Sequence, residues 1–438
     1  MKDLKDIDTS AEVSTKKIKW AAIQPLTGGM YIGTEKAIGH PAEYILSYPG
    51  VGDESRDKDG TIKSAGNEYN LMEYLRKHGK NPNYACFKRE MFQNDNDMNP
   101  EIIESQWTKD LSFFKDINNL RGMDLIVAVP VCAGLSSATR ASQETCDVRN
   151  CNMIWIAKYV MNVLQPQAYI FENAPRMMSA AGDRVRMQCE EIAKEAGYSV
   201  CYYRTDTMYH DNAQKRSRTF ILFFKGEHAP ELEYENVQVD ILPYLERIPK
   251  DATQQVSIDW LPFNNDFVDY ATEKLGDDAF SKFNVVTKWI AYNDLYHDFK
   301  AWLSKRPNHH PSTDKFIDHV FDKMSQGGGW YDMSCYRSHD NKTHAVIFKT
   351  MRSELHPTEN RLFTIREQLH LMGMPHDFEL YGDINREFAK IGQNVPSRTA
   401  FWIVSQAIKH MYDKSDGPRV RVFSNIKQQE QTSQFYHE

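Results

Sequence analysis

Short, continuous apolar runs recur through the first half of the chain, each closed by Gly, Pro or a polar cluster. Lys17–Gln24, Glu43–Ser47, Asp124–Val129, Ala168–Phe171, Tyr198–Tyr203 and Thr219–Phe224 have the unalternating character of strands buried on both faces. Between them apolar residues recur at helical spacing, over Met30–Ile38, Glu68–His78, Met153–Leu164 and Val185–Ala196, the last closed by Gly197. A further helix is expected around Pro100–Phe114, and residues 50–66 and 92–100 read as polar loops. Strand and helix alternate with short links, which predicts an α/β fold with a parallel, doubly wound sheet.

From Gly226 the pattern becomes irregular. Aromatic and acidic clusters, a Pro- and His-rich stretch at Arg306–Ser312 and the glycines Gly327–Gly329 predict a second, smaller domain over 226–359. Helical patterning returns at Arg361–Met372 and Ser397–Tyr412, separated by a turn at Ile391–Pro396. Residues 360–413 are therefore expected to rejoin the first domain, 17–225. Residues 1–16 read as a charged lead and 414–438 as a polar tail.

Composition narrows the function classes. With 438 residues and 41% hydrophobic content, the chain can bury a large core. Its net charge of −7 means that any polyanion site must be a local basic patch. No apolar run approaches the ~18 residues of a membrane span, and the N-terminus is polar, so a soluble, cytoplasmic protein is expected. The 7 cysteines form no Cys-x-x-Cys pair, and Cys146 and Cys151 lack neighbouring histidines, so free thiols and no metal are expected.

Four polar features stand behind expected strand ends: the Gly28-Gly29 turn, Cys132, Glu172, and Gln214 with Arg216 and Arg218. Each has an ordinary reading, as a tight turn, an inert core thiol, a helix cap and a solvated edge respectively. Carboxyl ends of buried strands are where open α/β sheets place their chemistry, and four such features together point to one site.

At these residues the chain resembles the DNA (cytosine-5)-methyltransferases. VPVCAGLS resembles the family's Pro-Cys loop, with Cys132 at the nucleophile; FENAP resembles its Glu-Asn-Val motif, with Glu172 at the catalytic acid; and QKRSR, Gln214–Arg218, matches Gln-x-Arg-x-Arg. Leu355–Pro375, with Thr364, Arg366 and Glu367, and Ile391–Ile408 match the closing motifs in the family's order. The resemblance implies a Rossmann-like methyltransferase domain with a target recognition domain at 226–359. It implies S-adenosylmethionine as methyl donor and double-stranded DNA as partner, with the protein a monomer or weak dimer. Catalysis would fall to Cys132, Glu172, Arg216 and Arg218. Pro25, Leu26, Thr27, Gly28, Gly29, Pro130, Asn394 and Val395 would line the donor site, and Ser136, Asn173, Gln214 and Arg366 the base site. Lys305, Arg306, Lys342, Lys349 and Arg352 are candidate phosphate contacts, or simply solvated charges.

The departures fall mainly in the donor half. Where the family has Phe-x-Gly-x-Gly-Gly, this chain has Gln24-Pro-Leu-Thr-Gly-Gly29, without the Phe and the first Gly. Where a ribose-binding Glu is expected after the second strand stand Ser47-Tyr48; Glu43 is early and Asp53 late, and no clear carboxylate is evident. Gln393 replaces the usual Asn, with Asn394 one step on, and Val131 and Ala133 flank the thiol where Pro and Gln are usual. Such divergence would suit a phage or mobile-element enzyme. A related donor, a tRNA cytosine substrate and a DNA-binding homologue without turnover are the alternatives.

Overall fold

The structure, a computed structural model, describes residues 17–47, 54–86, 92–94, 97–98, 120–130, 135, 150–233, 236–248, 363–383, 388–413 and 416–426. Between 266 and 359 it describes 296–306, 336–337, 354–357 and a few single or paired positions. The helix expected at Pro100–Phe114 and the Gly327–Gly329 turn lie outside the described residues, as do Cys132 and Ser136.

Eight strands make the main sheet: β1 Trp20–Ile23, β2 Tyr44–Ser47, β3 Asn83–Cys86, β4 Leu125–Ala128, β5 Ala168–Asn173, β6 Tyr198–Asp206, β7 Ser217–Lys225 and β8 Val420–Ser424. Their order is β8-β6-β7-β5-β4-β1-β2-β3. Six of the expected runs are strands, and the sheet is doubly wound. It is not wholly parallel, however, because β7 runs antiparallel to both β6 and β5. The link from β6 to β7 is short and holds only one 3₁₀ turn, too little for the crossover that a parallel return needs.

Successive residues of each strand enter opposite layers. Ala21, Ile23, Ile126, Ala128, Tyr169, Phe171, Ile221 and Phe223 face one core, shared with helices α3 (Cys151–Tyr159) and α4 (Asp183–Glu195). Trp20, Ala22, Leu125, Val127, Ile170, Leu222 and Phe224 face the other. There they meet α1 (Gly29–Ile38), α2 (Asn67–Lys77) and α8 (Ser397–His410). Both faces are covered, so the strand sequences show no alternation to read.

Three expectations change. The loop expected over 50–66 contains a hairpin, Glu54–Arg56 with Ile62–Ala65. That expected over 92–100 contains a short pair, Phe92–Asn94 with Asp97–Met98. The polar tail expected over 414–438 contains β8, which pairs in parallel with β6 at the sheet edge. Phe423 is buried there while Val422 is exposed, so this edge strand needs only one apolar residue on its inner face.

Beyond residue 226, Ala229 and Leu232 pack into the core of the first domain. Helix α5 (Ile241–Leu245) packs with α7 (Ile365–Leu371). Helix α6 (Tyr296–Leu303) packs Phe299 at a tilt and Trp302 edge-on against Tyr270, with the Arg306 guanidinium over the Trp302 ring.

Candidate active site

The order of strands reverses direction between β1 and β4, and the carboxyl ends of β1, β2, β4 and β5 share one edge. In a doubly wound sheet this is the ligand crevice. The turn after β1 is tied to its neighbour by Gln24 N–H, which donates to Leu46 O at 2.8 Å. Gln24 and Leu26 both adopt left-handed backbone, with φ of 52° and 53°. Leu26 stands where the first glycine was missing from the motif. It takes a conformation that glycine reaches without steric cost, so the turn keeps its course at a cost of about 1–2 kcal/mol.

Gly29 opens α1, and its N–H donates to Asn394 Oδ1 at 2.8 Å. A Cβ there would stand 1.8 Å from Val395 O, so only glycine fits. Asn394 and Val395 are buried, and they brace the turn from behind. Thr27 is held likewise, its hydroxyl donating to Lys390 O at 3.1 Å.

A carboxylate does reach this crevice, contrary to the expectation for the second strand. It belongs to Glu68, in the first turn of α2. The Glu68 carboxyl is buried, receives the Tyr84 hydroxyl at 3.2 Å and the Leu26 backbone N–H, and lies beside Ser47 at the end of β2. Burial pushes its pKa from 4.5 up to about 8, against the lowering effect of those neighbours. The hairpin between β2 and α2 separates Glu68 from the strand it serves, which is why a search beside Ser47 missed it. Gly66-Asn67-Glu68, a polar start to the next helix, was the available signal.

The second carboxylate is Glu172. With Asn173 it continues β5 two residues past the expected strand end at Phe171. Glu172 Oε1 meets Arg218 Nε at 2.6 Å, and both side chains are largely buried. The two residues sit on adjacent antiparallel strands, and the register pairs Glu172 with Phe220, two residues beyond Arg218. Burial holds the Glu172 carboxyl above its ordinary range, while the charges of Arg218 and Arg216 pull it back.

Arg216 is buried. Its backbone N–H donates to Asp206 Oδ1 at 2.8 Å and its guanidinium to Gly392 O. Asp206 also accepts from Ser217 Oγ at 3.1 Å, and so fixes the entry to β7; sequence reading gave it no role. Gln214 donates to Leu371 O, and Asn173 accepts from Ala174 N–H at 2.9 Å, so both bind the framework. Arg366, on α7, donates to Phe378 O at 2.9 Å. Thr364 and Glu367 form a reciprocal cap on that helix. Pro130 is buried just beyond β4, where Val129 N–H donates to Ile23 O at 3.1 Å. The chain thus leaves β4 at Pro130 between the Gln24 turn and Glu172. The Cys189 and Cys201 thiols are buried, and burial pushes each up to about 12, which removes them as nucleophiles.

Residues 88–409 match the model of the C-5 cytosine-specific DNA methylases. The chain belongs to this family. It is a DNA cytosine-5 methyltransferase. Among curated relatives, the type II methyltransferase M1.HphI of Haemophilus parahaemolyticus is 22% identical over 313 residues, 69% of this chain and 74% of the relative. M.Bpa9945I of Bacillus paralicheniformis is 23% identical over 66% of this chain and 70% of its own. Among solved structures, a prophage-encoded candidate DNA modification methyltransferase from E. coli superposes with a TM-score of 0.50. It has 13% identity and covers 90% of this chain and all of that one, a likeness of fold.

Proposed function

We propose that this methyltransferase works through Cys132 and Glu172 on a cytosine flipped out of duplex DNA. The observation that carries this reading is the buried Glu172–Arg218 pair beside the strand that leads to Cys132. Carbon 5 of cytosine is a weak nucleophile. Addition of the Cys132 thiolate at carbon 6 moves electron density through the ring towards N3 and carbon 5. A carboxyl group that holds a proton near neutrality can hydrogen-bond N3 and favour that addition, and burial supplies the raised pKa that Glu172 needs. Arg218 fixes the carboxyl's orientation. Arg216 lends positive potential to the site and favours the ionised thiol. A stacked base offers neither face to these groups, so it must leave the duplex.

S-adenosylmethionine supplies the electrophilic methyl group. Two features fit it to the Gln24–Gly29 turn. The turn keeps its path despite the missing glycine, and Glu68 provides a buried acceptor for a ribose diol. The family relation supports this donor, double-stranded DNA as the partner and the cytoplasm as the place of action.

Duplex DNA carrying 5-fluorocytosine tests the reading, because the fluorine cannot leave as a proton does and the adduct persists. With S-adenosylmethionine present, the wild-type chain should form a denaturation-resistant adduct, and Cys132→Ser should not. An adduct of equal yield in Cys132→Ser would sink the assignment.

A further inference from the structure

The fold leaves the Gln24 amide unused. Gln24 is fully buried, yet neither Oε1 nor Nε2 has a hydrogen-bond partner. A buried amide without partners is destabilising, and a folded protein retains one where something else completes it. Its position says what. Gln24 follows β1, and the register Ile23–Leu46 places it beside Ser47, whose buried hydroxyl is engaged by the Glu68 carboxyl. The backbone at Gln24 is left-handed, a strained state for a residue with a side chain, and such strain gathers at ligand clamps. Three buried polar groups therefore meet at the carboxyl ends of β1 and β2: Ser47 and Glu68 engage each other, and the Gln24 amide is left unpartnered.

A ribose diol suits this arrangement. Each hydroxyl carries one proton and two lone pairs. A carboxylate takes the protons but can give nothing to the lone pairs. A primary amide has two N–H donors, and Gln24 is the neighbouring group that can supply them. We propose that the Gln24 side-chain amide completes the ribose site of the methyl donor, Nε2 donating to a hydroxyl oxygen whose proton Glu68 accepts. This rests on the placement of the donor at this turn. Where the family's pattern has an aromatic ring, this chain would read the donor through hydrogen bonds.

Isothermal titration of the full chain with S-adenosylhomocysteine and its 2′-deoxy and 3′-deoxy forms tests this. Wild type should lose about tenfold in affinity for the form that lacks the oxygen read by Gln24. Gln24→Leu should weaken the parent ligand by a similar factor and shrink that penalty to the part owed to Glu68, while keeping the penalty for the other form. Gln24→Glu, near in shape but without donors and charged beside Glu68, should weaken the parent further. The proposal is overturned if Gln24→Leu binds the parent as wild type does with both penalties intact. It is also overturned, with no variant needed, if wild type binds both deoxy forms as well as the parent. Failure of wild type to bind any of the three would instead remove the donor placement itself.

Discussion

Both halves of the site hold a buried carboxyl group whose pKa burial has raised, and they hold it differently. Glu172 stands against Arg218 at 2.6 Å, and sheet register fixes the pair. Glu68 is held by the Ser47 hydroxyl, a phenol and a backbone N–H, with no cation among the causes of its shift. In the half proposed to bind the base, cationic neighbours thus draw the raised pKa of the acid part of the way back. In the half proposed to bind the donor, only neutral hydrogen-bond donors oppose the effect of burial. One group suits chemistry and the other recognition, and the difference lies in the neighbours rather than in the residue type.

Variants can break this comparison. The largest effect is expected from Glu172→Gln, which keeps the shape but cannot exchange the proton. Its kcat should fall about 10²–10⁴-fold, with DNA affinity retained in a filter-binding assay. Loss of DNA affinity in place of kcat would mean that Glu172 is structural.

Arg218→Ala should follow. It leaves Glu172 buried without its closest cation, which should cost about 1–3 kcal/mol in urea unfolding. Arg218 lowers the Glu172 pKa, so its removal raises it, and the alkaline limb of the kcat profile should move to higher pH. An unmoved limb would separate Glu172 from the observed titration.

Glu68→Gln sharpens the other side. The folded pKa of Glu68 is about 8, against 4.5 for the free group. Across that window the folded chain keeps a proton that the unfolded chain releases, so wild-type stability falls as pH rises from about 4.5 to about 8. In Glu68→Gln this component of the fall should vanish. Without donor the variant should then gain in Tm relative to wild type as pH increases, while its affinity for S-adenosylhomocysteine drops. Parallel Tm curves would show that Glu68 titrates normally.

The smallest effect is expected at Leu26→Gly. Relief of left-handed strain is worth about 1–2 kcal/mol. It is opposed by the greater unfolded-state entropy of glycine, about 0.4–1 kcal/mol, and by lost packing. Thermal unfolding should shift little, whereas Leu26→Val, β-branched at a left-handed position, should lower Tm clearly.

The same contrast explains what could be read from the sequence. Glu172, Arg216 and Arg218 lie within short contiguous motifs at strand ends, so their types and spacing announced them. The six expected strands were legible because burial on both faces leaves unbroken apolar runs. The direction of β7 was not, since a strand buried on both faces looks the same either way round. Glu68 escaped because spatial neighbours need not be neighbours in sequence: a hairpin stands between it and Ser47. Strand β8 escaped because pairing at an edge asks little of side chains. Asn394 was legible as a motif position, but its task of receiving the Gly29 N–H shows only in the folded chain.

That last hydrogen bond carries a consequence for biosynthesis. The glycine turn emerges from the ribosome first, and the residue that braces it follows 365 positions later. At about 5–20 residues per second, translation takes roughly 20–70 s to span that distance. Through that interval the nascent chain has its first strand but lacks the partner that fixes the turn. The turn should therefore be fixed only after Asn394 has left the ribosome, and a nascent chain that stops short of it holds the turn unbraced.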